Sequence, residues 1–262
     1  MTKQSINSRY KGSMQNKVAL VTGASSGLGA HFAKVMANAG AKVIVTARRE
    51  QKLKQLVEEI SATGGEASAL TLDVTNAEAV EGVIKNAVML YGSIDCLVNN
   101  AGVADPKRFV NVEETDWQFV LETNLSGAWR VAKAVATHMI NSNTKGSIVN
   151  IASILGLRVG FGDSTYAISK AGVIQMTKAM CLELASKNIR VNALCPGYFE
   201  TEMNTDYFNT EKGQAYLQTT TATRLGQLDE LTAPLMLLCS DEGSFINGIA
   251  LPVDGGHLNT SL

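Results

Sequence analysis

The sequence predicts an α/β fold in which one doubly wound parallel sheet carries helices on both faces. From Lys17 onward, short apolar runs alternate with longer amphipathic stretches, as in right-handed β-α-β crossover units. Several runs are almost continuously apolar, which is typical of parallel strands buried on both faces. No linker, repeat or low-complexity block interrupts this alternation. We therefore expect a single domain over 16–262.

In the N-terminal half, aliphatic and β-branched runs such as KVALVT and KVIVT predict strands, and the 3.6-residue apolar period between them predicts helices. Glycine-containing dipeptides at Ala39-Gly40, Gly64-Gly65 and Tyr91-Gly92 supply the turns between elements. In chain order the expected elements are strand 17–22, helix 28–39, strand 42–46, helix 50–62, strand 68–72, helix 76–91 and strand 94–98.

The same alternation continues in the C-terminal half. In chain order the expected elements are helix 113–142, strand 147–151, helix 164–187, strand 189–194, helix 228–240 and strand 247–253. Two segments do not fit it. Residues 1–15 are polar and aperiodic, which predicts a flexible N-terminal tail. Residues 198–226 are rich in Thr, Glu, Tyr, Phe and Asn, and we interpret them as an insertion with a substrate lid near 198–222.

Composition excludes several functional classes. The 262 residues include 23 basic and 24 acidic side chains, for a formal net charge of −1, and 45% are hydrophobic. This apolar fraction can fill a core, whereas the near-zero charge creates no field that attracts nucleic acid or an anionic membrane. There is no uninterrupted apolar run of about 18 residues and no apolar h-region within residues 1–16. We expect neither nucleic-acid nor membrane partners.

The four cysteines and three histidines are too scattered to form a metal site. The chain has no C-x-x-C pair, and its histidines are more than 100 residues apart. Isolated cysteines among apolar neighbours indicate a reducing compartment rather than a disulfide framework. The sequence therefore predicts a metal-free cytoplasmic protein.

A glycine-rich turn follows the first predicted strand and precedes the first predicted helix. It comprises Gly23, Ser25, Ser26, Gly27, Leu28 and Gly29. Glycines there let the backbone approach a phosphate, while the helix N-terminus stabilises its negative charge. This placement predicts a Rossmann-like dinucleotide site, although the spacing Gly-x-x-x-Gly-x-Gly differs from the standard Gly-x-Gly-x-x-Gly. A purely conformational role for the glycines is the alternative.

The end of the second strand indicates the choice of cofactor. An acidic residue there would bind the ribose 2′-hydroxyl of NAD, but Arg48 and Arg49 occupy the position instead. A guanidinium binds a 2′-phosphate through a forked pair of hydrogen bonds. We therefore favour NADP(H), with Arg48 supplying most of the phosphate recognition. NAD(H) remains the alternative because the turn carries Ser25 and Ser26 where many NADP-preferring relatives carry a basic residue.

Further motifs lie downstream in a fixed order: Asn99-Asn100-Ala101-Gly102, Asn124-Leu125-Ser126-Gly127, Ser153, Tyr166-Ala167-Ile168-Ser169-Lys170, Pro196-Gly197 and Val253-Asp254-Gly255-Gly256. Together with the glycine turn, they resemble the short-chain dehydrogenase/reductase family over about 16–258. On general pattern, 3-oxoacyl-carrier-protein reductases and sugar or polyol dehydrogenases look closest. The resemblance implies an oxidoreductase that interconverts a carbonyl and a secondary alcohol.

Tyr166 and Lys170 lie four residues apart on a predicted helix and therefore share one face. A free phenol has a pKa of about 10, and a nearby ammonium together with oxidised cofactor would lower it. In the implied mechanism, Tyr166 donates a proton to the carbonyl oxygen and Ser153 hydrogen-bonds the same oxygen. Lys170 holds the nicotinamide ribose, and Asn124 keeps a water on the proton path. Taken singly, Tyr166 and Lys170 could be only a surface pair. Ser153 could be a strand-end cap, and Asn124 a polar helix residue that makes local hydrogen bonds.

The resemblance also implies further cofactor contacts, at Asp73, Val74, Asn99, Asn100, Ala101, Gly102, Pro196, Gly197 and Thr201. Asp73 contacts the adenine in this assignment, although it could equally cap the helix that begins near Asn76.

Substrate identity is least constrained by the sequence. Candidate pocket residues are Leu155, Phe161, Tyr198 and Met203, with no arginine cluster that demands a phosphorylated substrate; the nearest cation, Arg158, could be a surface residue. A dinucleotide-sensing regulator without turnover is the competing function, but such a protein would be expected to lose the tyrosine or the lysine. Family relatives assemble through helices equivalent to 113–142 and 164–187, which implies a homotetramer or homodimer.

Overall fold

The computed structural model describes residues 10–201 and 205–259. The strands are β1 (Val18–Thr22), β2 (Lys42–Ala47), β3 (Glu66–Thr71), β4 (Cys96–Asn99), β5 (Gly146–Ile151), β6 (Ile189–Pro196) and β7 (Ala250–Val253). They form one seven-stranded sheet in the order β3-β2-β1-β4-β5-β6-β7. Every neighbouring pair is parallel. The predicted doubly wound fold is therefore confirmed.

Helices cover both faces of the sheet. They are α1 (Gly27–Asn38), α2 (Glu50–Ala62), α3 (Ala77–Tyr91), α4 (Glu114–Leu121), α5 (Ala128–Asn141), α6 (Ser164–Leu184), α7 (Thr205–Phe208), α8 (Glu211–Gln218) and α9 (Thr232–Cys239). Successive residues of β1 point to opposite faces, as the period of a strand requires. Ala19 and Val21 join the cluster formed with α1, α2 and α9, whereas Val18 and Leu20 pack with α3 and α5.

The predicted helix 113–142 is divided in the structure. A π-helical segment, Glu122–Gly127, separates α4 from α5. A π-helical turn widens the backbone locally and is frequent at functional sites. Here it contains Asn124, which is buried. A continuous 3.6-residue period cannot reveal such a turn, because the side chains on either side remain amphipathic.

The segment from Tyr10 to Gln15 differs from the loose tail expected over 1–15. It forms turns that pack against the end of α1, where the backbone amides of Gly12 and Met14 donate to the Ala39 carbonyl at 3.1 and 3.0 Å. Tyr10 and Met14 are buried in the core. These two apolar side chains explain the difference, because their burial compensates for ordering the backbone. Residues 1–9 lie outside the described part of the chain.

The insertion over 198–226 contains the short helices α7 and α8. Residues 202–204, and with them the pocket candidate Met203, lie outside the described residues, as do 260–262. Among the helices that are described, none combines the length and the apolar character needed to cross a membrane.

Candidate active site

A cleft of about 640 Å³ lies at the C-terminal edge of the sheet. Its walls include Gly23 after β1, Arg48 after β2, Asn100 after β4, Ala152 after β5 and Gly197 after β6. In open α/β sheets, ligands bind at this edge where the strand order reverses. The order reverses here between β1 and β4, so the topology and the cleft identify the same place.

Most of the predicted cofactor residues line this cleft, namely Gly23, Ser25, Ser26, Gly27, Leu28, Arg48, Arg49, Asp73, Val74, Asn100, Ala101, Gly102, Tyr166, Lys170, Pro196, Gly197 and Thr201. Gly29 instead lies behind the turn, where a Cβ atom would come within 2.3 Å of the Gly23 carbonyl oxygen. Position 29 therefore requires glycine because the backbone of the turn packs too closely there to leave room for a side chain.

The glycine turn is held against the end of β4 by the side chain of Thr22. Thr22 Oγ1 accepts hydrogen bonds from the backbone amides of Asn100 at 2.9 Å and Ala101 at 3.0 Å. Asn100 Nδ2 donates back to the Thr22 carbonyl at 3.0 Å. Gly23 has φ +65°, and a Cβ atom there would lie 2.8 Å from Ala101 Cα. The position of Thr22, directly before the first glycine, was the signal available in the sequence.

The two arginines after β2 differ in position. Arg49 donates to Ser25 Oγ from Nε at 3.1 Å and from Nη2 at 2.8 Å, and to Ser26 Oγ from Nη2 at 2.6 Å. Arg48 lies closer to Asp73 and helps to lower the pKa of that carboxyl. Arg49, rather than the expected Arg48, therefore joins the glycine turn, because the turn's serines supply acceptors for it.

Asp73 is not the cap of the following helix. The N-cap of α3 is Asn76, whose Oδ1 accepts from the Ala79 amide at 3.0 Å. Asp73 Oδ1 accepts from the amide and hydroxyl of Thr75 at 3.0 and 2.8 Å. These two hydrogen bonds, more than the Arg48 charge, lower the pKa of Asp73. The carboxylate is thereby fixed on the wall of the cleft.

Asn99 faces away from the cleft, contrary to the expected ribose contact. Its Nδ2 donates to the Ala128 carbonyl at 2.8 Å and to Asn150 Oδ1 at 3.2 Å. Side chains alternate along a strand, so Asn99 and Asn100 must point to different sides. Asn99 therefore belongs to a buried polar network that supports the floor of the site.

Ser153, Tyr166 and Lys170 meet in the middle of the cleft. Ser153 follows β5, whereas Tyr166 and Lys170 project from adjacent turns of α6. The Ser153 hydroxyl hydrogen-bonds the Tyr166 phenol, and Ser153 Oγ accepts from the Leu155 amide at 3.1 Å. Lys170 Nζ lies 5.6 Å from the centre of the Tyr166 ring. Two hydroxyl groups and one cation thus converge on one region.

The protein environment raises the pKa of Tyr166 to about 12, opposite to the expected lowering. Removal of the phenol from water is the main cause; the Ser153 hydrogen bond lowers the pKa and the Asp163 charge raises it. The phenol is therefore protonated at neutral pH, which is the state that a proton donor needs.

Lys170 is buried at the base of the cleft, and its Nζ donates to the Ile151 carbonyl at 2.8 Å. Burial lowers its pKa to about 8, and the nearby Cys195 opposes this shift. A lysine with this pKa exchanges its proton readily near neutral pH, whereas an ordinary exposed lysine stays charged.

The lowered pKa of Lys170 predicts a pH dependence of stability. The pKa of Lys170 is about 8 in the folded chain and 10.5 in the unfolded chain. At a pH between these two values only the unfolded chain holds the proton, so the free energy of unfolding rises with pH. From pH 7.5 to 9.5 the free energy of unfolding should rise about 1–2 kcal/mol more in the wild type than in Lys170→Met. Urea unfolding at each pH measures the difference, with the exposed Lys178→Met as control. Parallel curves for the wild type and Lys170→Met would refute the lowered pKa.

Asn124 connects the π-helical segment to the loop after β4. Its Nδ2 donates to the Val103 carbonyl at 2.9 Å and to Ser169 Oγ at 3.1 Å, while Oδ1 accepts from the Val103 amide at 2.8 Å. A Cβ atom on Gly102 would lie 3.3 Å from Asn124 Oδ1 and 3.5 Å from Lys170 Nζ. Asn124 therefore fixes this loop and flanks the same small space as Lys170.

The substrate side of the cleft is lined by Leu155 and Tyr198, as expected, but not by Phe161. Phe161 is exposed and packs under Arg108, whose Cζ lies 5.3 Å from the ring centre. Arg158 Nη1 donates to the His257 carbonyl at 3.4 Å, which anchors the C-terminal turn.

Tyr198 belongs to an aromatic cluster that sequence analysis missed. Its phenol hydrogen-bonds that of Tyr216 on α8, and Tyr216 Oη lies 3.2 Å from His257 Nε2. The Tyr198 ring centre is 5.5 Å from that of Phe208 and 5.8 Å from that of Tyr216. The cluster joins the cleft wall, the lid and the C-terminal turn, which are far apart in sequence.

Known proteins share both the sequence pattern and the fold. A protein-family model described as Enoyl-(Acyl carrier protein) reductase matches residues 23–257. The 3-oxoacyl-[acyl-carrier-protein] reductase FabG of Thermotoga maritima is 38% identical over 243 residues, which cover 93% of this chain and 98% of that protein. FabG of Vibrio cholerae is 39% identical with the same coverage.

Solved structures agree. A putative short-chain alcohol dehydrogenase from Sinorhizobium meliloti superposes with a TM-score of 0.91 at 37% identity, covering 96% of this chain and 99% of that one. A gluconate 5-dehydrogenase from Burkholderia cenocepacia, in complex with NADP and tartrate, gives a TM-score of 0.91 at 34% identity, covering 98% and 100%. With the glycine turn and the Ser153–Tyr166–Lys170 group in place, the chain belongs to the short-chain dehydrogenase/reductase family of oxidoreductases, which act on CH–OH and carbonyl groups.

Proposed function

We propose that the protein is an NADP(H)-dependent oxidoreductase that interconverts a carbonyl compound and a secondary alcohol. The observation that carries this proposal is the convergence of the Ser153 hydroxyl, the protonated Tyr166 phenol and the buried Lys170 ammonium in the cleft. This arrangement provides a proton donor, a hydrogen-bond donor and a cation around one substrate oxygen.

When bound, the reduced cofactor supplies the hydride. Ser153 and Tyr166 orient the substrate by hydrogen bonds to its carbonyl oxygen, and Tyr166 gives its proton to that oxygen as negative charge develops there. Lys170, with a pKa of about 8, restores the proton to Tyr166. Asn124 holds the loop beside Lys170 and keeps room there for the water that connects Lys170 to solvent. In the oxidative direction, Tyr166 accepts the alcohol proton.

The preference for NADP(H) is supported by charge and by hydroxyl donors at one end of the cleft. The adenosine ribose of a bound dinucleotide would lie next to the glycine turn. That part of the cleft is lined by Arg48, Arg49, Ser25 and Ser26. Guanidinium and hydroxyl groups bind a phosphate dianion well. A putative 2-deoxy-D-gluconate 3-dehydrogenase from Agrobacterium tumefaciens, 34% identical to this chain, was also solved with bound NADP. NAD(H) use at lower efficiency is the alternative.

Two substrate classes follow from the relatives, namely 3-oxoacyl thioesters and sugar-derived ketones or alcohols. NADPH oxidation should be followed at 340 nm with a 3-oxoacyl thioester, a ketogluconate, a simple ketone and a steroid ketone at equal concentrations. At least one should be reduced with kcat/KM above about 10⁴ M⁻¹ s⁻¹, the lower range for enzymes. Failure with every carbonyl class, in a sample that binds NADPH, would favour a dinucleotide-sensing role.

We infer a homotetramer or homodimer in a reducing compartment, the cytoplasm. Large apolar side chains are exposed on α4, α5 and α6, including Phe119, Trp129 and Leu182, and association would cover them. The four cysteines are free thiols, which suits a reducing compartment.

A further inference from the structure

Asp163 occupies the N-cap position of α6 but does not cap the helix. Its side chain makes no hydrogen bond to the amides of the first helical turn, although aspartate at this position usually does. The carboxylate lines the cleft instead. Its Oδ2 lies beside Gly160, where a Cβ atom would be 3.1 Å away. The side chain is therefore directed towards the substrate side, three residues before the catalytic tyrosine.

Within residues 10–201 and 205–259, no group hydrogen-bonds or ion-pairs with the Asp163 carboxylate. Other partly buried aspartates have partners: Asp95 accepts from the Val18 amide at 2.8 Å, and Asp254 accepts from the amides of Gly256 and Leu258 at 2.9 and 2.8 Å. Burial without compensating contacts raises the pKa of Asp163. The carboxylate is half-buried on the cleft wall, so its oxygens are available to accept a hydrogen bond from a bound ligand.

We propose that Asp163 is a specificity-determining residue that accepts a hydrogen bond from a substrate hydroxyl close to the reacting carbonyl. The inference rests on the proposed function, because it places the reacting carbonyl at Ser153 and Tyr166. The charge of Asp163 contributes to the raised pKa of both Tyr166 and Tyr198, which indicates that the carboxylate lies near both phenols.

Tyr198 completes this subsite from the other wall of the cleft. Its phenol is held by Tyr216, which in turn contacts His257 at 3.2 Å. The Asp163 carboxylate accepts the proton of the substrate hydroxyl, while the fixed Tyr198 side chain closes the opposite side of the subsite.

The partner that fits is a neutral hydroxyl. An anionic group would be repelled by the carboxylate, whereas a hydroxyl donates a proton to it without bringing a further charge into the cleft. A 3-oxoacyl thioester without a hydroxyl near its keto group would leave Asp163 unpaired. The site therefore favours α-hydroxyketones, and ketones derived from sugars or polyols, over simple 3-oxoacyl substrates.

The test compares matched ketones that differ only in the neighbouring hydroxyl, 3-hydroxybutan-2-one and butan-2-one. In the wild type, kcat/KM should be roughly 10- to 100-fold higher for the hydroxyketone, the range for a hydrogen bond to a charged group. In Asp163→Leu the ratio of the two kcat/KM values should fall towards one. Asp163→Asn, which keeps the shape and a neutral acceptor, should retain about a two- to tenfold preference.

A binding measurement separates this subsite from the proposed reaction. Calorimetric titration of the NADP⁺-loaded protein should show that butane-2,3-diol binds roughly tenfold more tightly than butan-2-ol, and that Asp163→Leu removes the difference. The exposed Asp241→Asn serves as the charge control. Equal affinities in the wild type, or a preference that survives in Asp163→Leu, would overturn the subsite. Diol preference without turnover of any ketone would retain the subsite and refute the reaction.

Discussion

Replacement of Tyr166 by phenylalanine is expected to lower kcat for carbonyl reduction by roughly 10²- to 10⁴-fold, the contribution of a positioned general acid. The variant removes only the hydroxyl, so the ring that packs 5.6 Å from Lys170 Nζ is retained. Ser153 would still donate a hydrogen bond to the carbonyl oxygen, but the phenol that passes a proton from Lys170 to that oxygen in the proposed mechanism would be missing. The loss should therefore fall on the chemical step.

Binding measurements distinguish this effect from a damaged site. NADPH affinity, followed by cofactor fluorescence, should change by less than about threefold, because the phosphate and adenosine contacts lie elsewhere in the cleft. Tyr91→Phe is a matched control: its hydroxyl contacts Ser68 Oγ at 2.8 Å on the far side of the domain, and turnover should be unaffected. Turnover in Tyr166→Phe close to that of the wild type would exclude Tyr166 as the proton donor.

The order of elements and the position of the cleft could be predicted from the sequence, because both depend on patterns among residues that are close together in the chain. Alternation of apolar runs with helical periods fixes the β-α-β order, and the glycine turn after β1 marks the end of the sheet that binds a phosphate. The six collinear motifs then place Ser153 and Tyr166 at that same edge.

Three features could not be predicted, and each depends on a contact between distant residues. The π-helical turn at Asn124 is stabilised by the backbone of Val103, 21 residues away. The ordered turn at Met14 depends on the end of α1. The raised pKa of Tyr166 depends on how completely the assembled cleft removes water from the phenol, which spacing between Tyr166 and Lys170 does not reveal.

The unpartnered Asp163 illustrates the same limit. In the sequence, Asp163-Ser164-Thr165 before a helical pattern is an ordinary N-cap signal. In the structure the side chain turns from the helix into the cleft. The N-cap rule fails for Asp163 because its carboxylate serves the cleft rather than the helix. Such conflicts between local sequence rules and structure are expected at functional sites.

Substitution of both arginines after β2 is the second large effect that we expect. The double variant Arg48→Ala/Arg49→Ala should lower kcat/KM for NADPH by about 10²-fold while changing that for NADH by less than about threefold. Each charge-assisted hydrogen bond contributes about 1.5–3 kcal/mol, and exposure to solvent reduces this. The 2′-phosphate is the only part of NADPH that NADH lacks, so the loss should be specific to it.

The single variants test which arginine carries the recognition. Arg49 already donates to Ser25 and Ser26 at distances of 2.6–3.1 Å, so a phosphate placed there meets one guanidinium and two hydroxyls. Arg48 is closer to Asp73, and part of its charge is balanced by that carboxylate. We therefore expect Arg49→Ala to account for more of the loss than Arg48→Ala.

The exposed Lys52→Ala removes one cation from α2 and controls for general attraction of an anion. Equal losses with NADPH and NADH in the double variant would reject the phosphate site, because only a contact to the shared part of the two cofactors produces that result.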